Sequence, residues 1–172
     1  MEVRQFLYLL NTCANSSLNT KLRSRLSELS KFHQNLSLNS EQVAENQIEI
    51  PFYQGDNANV KSLMGSLRDE RSIHSVILQG SLATNEEINY SDFDAFILLN
   101  ERAFDTPQLL EKTLLKLQQL GKNIYRQDPI QHHGWFVTTE KLLNYHFDDF
   151  FPLEIFKHSV VLYPQCSSLS VQ

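Results

Sequence analysis

Residues 76–99 read VILQGSLATNEEINYSDFDAFILL, and the order of parts in this stretch decides the fold. Val76–Gln79 belongs to a short apolar run with the length of a buried strand. Gly80 and Ser81 follow as a turn, where a glycine lets the backbone bend sharply and approach a ligand closely. With a short helix after the turn, its first N–H groups and the Ser81 hydroxyl would point at one spot, a setting that suits a phosphate. Residues 82–91 then read as a loop or a single helical turn, and Asp92-Phe93-Asp94 opens a second strand through Leu99. Residues two apart on a strand share a face, so Asp92 and Asp94 look one way and Phe93 the other. Two carboxylates on one face repel unless a cation sits between them. Mg²⁺ fits, because it prefers hard oxygen ligands and is often shared between carboxylates and substrate phosphates. Such an ion can activate an attacking hydroxyl and neutralise charge on the phosphates. The run DAFILL is apolar on both faces, which predicts a strand inside a sheet, covered on both sides.

On the N-terminal side, residues 3–13 are expected to form a short helix. Leu18, Leu22, Leu26, Leu29, Phe32 and Leu36 recur at spacings of three and four, the apolar face of an amphipathic helix over 18–38. That face suits packing on the core, or docking of a partner protein or a second copy. Residues 39–58, with Pro51 and Gly55, read as a connection with a short extended piece around Ile48–Tyr53. A helix from about Asn59 to Arg71 leads into the first strand.

On the C-terminal side, a helix starts at Pro107, and Gly121 is read as its end. Lys122–Gln127 and His132–Thr138 are expected as two further strands, broken at Asp128-Pro129. A short helix over Thr139–Tyr145, a partial one over Leu153–His158 and a last strand at Val160–Tyr163 complete the chain. The expected organisation is an N-terminal helical segment and connection (1–58), a main domain (59–165) and a frayed polar tail (166–172). The fold class is α/β in composition, of the α+β kind: a small mixed β-sheet flanked by helices, preceded by N-terminal helices.

The 172 residues fit one domain with a small helical appendage, and 11 Phe and 6 Tyr supply apolar bulk for its core. No apolar run approaches the roughly 18–20 residues that cross a bilayer, and Phe6–Leu10 is too short for a secretory h-region. The expected location is the cytoplasm, with Cys13 and Cys166 as free thiols. A net charge of −5 argues against a broad nucleic-acid surface.

The arrangement LQGS…SDFDAFILL resembles the signature of the DNA polymerase β-like nucleotidyltransferase superfamily: apolar strand, Gly-Ser, about ten residues, then Asp-x-Asp on another strand. The resemblance covers roughly residues 59–138 and is most specific over about 20 of them. It implies a nucleotidyltransferase-like fold, with Gly80 and Ser81 contacting a triphosphate and Asp92 and Asp94 binding two Mg²⁺ ions. The implied reaction moves a nucleoside monophosphate from a nucleoside triphosphate to an acceptor hydroxyl, on a small molecule or another protein, and releases pyrophosphate. ATP is one candidate donor. The other class of reading keeps the fold as an inactive nucleotide-binding or protein-interaction module.

Two departures bear on that choice. The family usually carries a third carboxylate on the strand after the intervening helix, where this chain reads KNIYRQDPIQHHGWFVTTE. Asp128 reaching in from the strand's edge, or one histidine of the pair His132-His133, would complete the site as ligand or general base; otherwise the base is lost. As a structural element, HHGW is equally a hydrogen-bonded pair beside a close-packed glycine. The loop LATNEEINY also lacks the arginine many relatives carry, leaving Lys122, Arg126 and Lys141 as candidate phosphate partners. Asp148-Asp149 is read as a solvated turn.

Overall fold

The computed structural model describes residues 1–37, 48–67, 70–84, 86, 91–127, 134–143, 153–163 and 169–171. Its centre is a four-stranded mixed sheet in the order β4-β3-β2-β5, formed by β2 (Ile73–Leu78), β3 (Ala95–Leu99), β4 (Phe136–Thr139) and β5 (Val160–Tyr163). β2 runs antiparallel to both β3 and β5, whereas β4 lies parallel to β3. β1 (Ile48–Ile50) pairs with β6 (Leu169–Val171) in a separate two-stranded ribbon. The end of the chain, expected to fray, thus reaches β1, and its Leu-Ser-Val alternation has the period of a strand.

β3 is buried along its whole length, as its unbroken apolar sequence predicts. Its alternate side chains divide between two cores. Ala95, Ile97 and Leu99 join a large cluster with the helices, while Phe96 and Leu98 meet Ile77, Phe156 and Val161 on the opposite face. The larger cluster takes residues from α1 (Val3–Asn15), α2 (Thr20–Gln34), α3 (Ala58–Leu67) and α5 (Pro107–Gln127). On α2, Leu26 and Leu29 are buried and Leu22 and Phe32 pack against them, so its apolar stripe meets the core. None of the described helices is long and apolar enough to cross a membrane.

Two expectations fail around Gly121. Lys122–Gln127 is no strand, and the helix does not stop at the glycine: α5 runs unbroken from Pro107 to Gln127. The cause is packing, since a Cβ at Gly121 would stand 3.0 Å from Trp135 Nε1. The glycine is there to admit an indole, and its helix-breaking tendency of about 1 kcal/mol is overridden.

β4 would be an open sheet edge, but α1 closes it. Asn11 Nδ2 donates to the Val137 carbonyl at 2.7 Å and its Oδ1 accepts from Val137 N at 2.7 Å. One helical turn later, Asn15 repeats the pattern on Trp135, at 2.8 and 3.1 Å. Two side-chain amides thereby take the place of a fifth strand.

Candidate active site

At the end of β2 the chain enters the left-handed region at Gly80 (φ 67°), where a side chain is strained. A Cβ here would also stand 3.4 Å from Asp94 Oδ2. The turn demands glycine here, and a side chain, though in ordinary contact with the carboxylate, would take up the space beside it. Ser81 opens the four-residue helix α4 (Ser81–Thr84) and is half-buried. The Gly80 carbonyl accepts from Ala83 N at 3.0 Å, and the Ser81 carbonyl accepts from Glu86 N at 2.9 Å, which fixes the turn.

Asp92 and Asp94 precede β3, and the ladder continues to them because Gln79 N donates to the Asp94 carbonyl at 2.9 Å. Phe93 is buried in the helix-side core and lies beside Trp135, with ring centroids 6.1 Å apart. Asp94, bonded across to Gln79, falls on the opposite side from Phe93, the face that carries Phe96; Asp92 lies before the ladder. Both are half-buried. Gly80 and Asp94 line an open cleft of about 640 Å³, with Gln79 on its floor and Phe96, Phe136 and Ile155 in its walls.

A divalent cation fits this arrangement as far as the described residues go. Asp94 lines the cleft, and Gly80 leaves the space beside it that a side chain would fill; Asp92 is half-buried two residues before it. Among the described residues there is no cluster of three or more metal-ligating side chains. Asp128, His132 and His133 lie outside the described residues, as do Asp148, Asp149 and Cys166.

The register of β4 bears on the third acid. Phe136 pairs with Phe96 and Thr138 with Leu98 in the parallel ladder, so Phe136 and Thr138 occupy the face that carries Asp94. That face of β4 holds no carboxylate. The same register separates the candidate cations. β4 begins beside the carboxylates and ends where Thr139 meets Leu99, so Lys141 lies at the far end of the sheet, paired with Glu101 at 2.9 Å. Lys122 and Arg126 are exposed on the last turns of α5, which leads toward the start of β4.

Gln79 was missed by the sequence reading. It is 6% exposed, lies directly opposite Asp94 in the β2–β3 ladder, and shares that residue's face. An amide closing the apolar run Val76–Leu78 was the available signal.

Comparison with curated proteins and with solved structures found no match. The family description for the nucleotidyltransferase domain, in contrast, matches residues 60–161, more than half of the chain. That span runs from α3 to β5 and includes the glycine turn, Asp92 and Asp94; of these residues Gly80 and Asp94 line the cleft, and Ser81 and Asp92 are not among its described lining residues. By that match this chain belongs to the DNA polymerase β-like nucleotidyltransferases, with nucleotidyl transfer as the general chemistry of the domain.

Proposed function

We propose that the cleft binds a nucleoside triphosphate with Mg²⁺ and transfers its nucleoside monophosphate to an acceptor hydroxyl on a small molecule or a protein. The observation that carries this reading is the approach of Gly80 to Asp94, which leaves room for a ligand at a carboxylate. Asp92 and Asp94 would hold the metal, and Gly80 and Ser81 would seat the donor's phosphates. When bound, the ion would supply charge neutralisation for the phosphates and ease removal of the acceptor hydroxyl's proton. The chain's own part is to orient the donor, through the turn and the carboxylates, so that an oxygen approaches the α-phosphorus from the open side of the cleft. The new O–P bond replaces the bond to pyrophosphate, which leaves, and the hydroxyl proton must go to a base. Asp128 and His133 are the candidates for that base.

A second reading is favoured by one observation: the cleft face of β4 presents Phe136 and Thr138 where the family usually has an acid. The domain would then bind nucleotide without turning it over.

Melting temperature across ATP, CTP, GTP and UTP, with and without Mg²⁺, tests both. A ligand at about 100 times its Kd stabilises by roughly 2.7 kcal/mol, a shift of several degrees. The proposal expects a Mg²⁺-dependent shift with at least one nucleotide, lost in Asp92→Ala/Asp94→Ala. No shift with any nucleotide would sink it. A shift without pyrophosphate release, with acceptor-containing lysate supplied, selects the non-catalytic reading.

A further inference from the structure

We infer that Gln79 is a phosphate-binding residue of the cleft, its side-chain amide donating to an anionic oxygen of the ligand seated between Gly80 and Asp94. This rests on the nucleotide reading above and adds a residue that the motif does not contain.

The observation is a polar group without a purpose in the fold itself. Gln79 is 6% exposed, and its Nε2 is buried with no hydrogen-bond partner among the described residues. The large majority of buried side-chain polar atoms are paired in folded proteins, and an orphaned one is costly. An apolar side chain would continue the strand at no such cost, because Ile77 and Phe96 beside it on the same face are fully apolar and buried.

Position says what the amide is for. Gln79 lines the cleft, precedes Gly80 in the chain and stands opposite Asp94 in the ladder. The ligand atoms that come closest to it are those held at the turn and the carboxylates, which are phosphate oxygens. The terminal side-chain torsion is soft, so the amide can reorient within the cleft that it lines. The neutrality of the donor matters as well. A lysine or arginine directly across from Asp94 would form an ion pair with it and compete with a cation for its oxygens. An amide offers N–H groups without that competition.

The test uses the full chain and two kinds of probe: Mg²⁺ with inorganic triphosphate, and Mg²⁺ with each of the four nucleoside triphosphates. Affinities are compared for wild type, Gln79→Leu and Gln79→Met, the methionine being unbranched and of equal length in case leucine does not pack. The expected result is a loss of about tenfold with inorganic triphosphate and with the bound nucleotide alike, and a ligand-free Tm equal to or above wild type. Equal affinities in wild type and variants overturn the assignment while leaving the nucleotide reading intact. So does a loss confined to nucleotides, which would make the amide a reader of the base or sugar. Wild type binding neither probe removes the nucleotide reading itself, and the Gln79 assignment with it.

Discussion

Asn15 and Trp135, 120 residues apart in sequence, exchange two backbone-directed hydrogen bonds, of 2.8 and 3.1 Å. Through this pair and its neighbour Asn11–Val137, the N-terminal helix holds the strand that walls the cleft. The first helix is thereby part of what positions the site, although it lies before the span matched by the nucleotidyltransferase family.

Removing either amide should loosen that strand. Asn11→Ala and Asn15→Ala are each expected to cost about 1–3 kcal/mol, since each removes two hydrogen bonds to the 135–137 backbone and one within α1. Urea denaturation followed by circular dichroism measures this. A loss below about 0.5 kcal/mol in both variants would show that water replaces the amides without penalty.

Gly80→Ala should fail for two reasons at once. The positive φ costs an L-residue roughly 1–2 kcal/mol, and the added methyl stands against Asp94 Oδ2. Stability should fall by about that amount, and any Mg²⁺-nucleotide shift should disappear. A variant that keeps the full ligand shift would mean that the space beside Asp94 is not where the ligand sits.

His33 predicts an acid limb in the stability curve. Its ring stacks on Phe104 with centroids 4.0 Å apart, and it is 2% exposed. Burial, with a smaller contribution from Lys141, lowers its pKa to about 4, while Glu101 acts weakly the other way. The unfolded chain takes up a proton near pH 6.5 and the folded one only near 4. The stabilising contribution is therefore complete above pH 6.5 and is lost as pH falls toward 4, on the order of 3 kcal/mol in all. His33→Leu should flatten this limb between pH 6.5 and 4; an unchanged slope would assign the acid sensitivity to other groups.

Cys13 should be inert. Burial pushes its thiol up to about 11, so at pH 8 almost no thiolate is present in the folded state. Iodoacetamide labelling read by peptide mass spectrometry should spare Cys13 in native protein and modify it in 6 M urea. Rapid native labelling at this residue would contradict its packing in the core.

How much of this was legible before the fold was known follows from the range of the forces involved. The leucine stripe of α2 and the both-faces burial of β3 are local periodicities, and each appears in the structure as read; Phe93 turns into the helix-side core, while Asp92 and Asp94 stand just before the strand they were expected to open. Gly80 was legible because a turn constrains its own residue. Asp128 and His133, read as completing the site, lie outside the described residues and enter only as candidates for the base.

What the sequence by itself determined is the family, because a glycine turn and an Asp-x-Asp ahead of an apolar strand form a local pattern of some twenty residues. Tertiary structure alone decided the rest. Gly121 sits within a helix because Trp135 needs its space; Lys141 is far from the carboxylates because β4 runs parallel to β3. Asn11 and Asn15 cap an edge strand more than a hundred residues away, and Gln79 becomes a candidate ligand contact only once Asp94 stands across from it. Each is a contact between segments distant in the chain, and no local propensity encodes which surfaces meet.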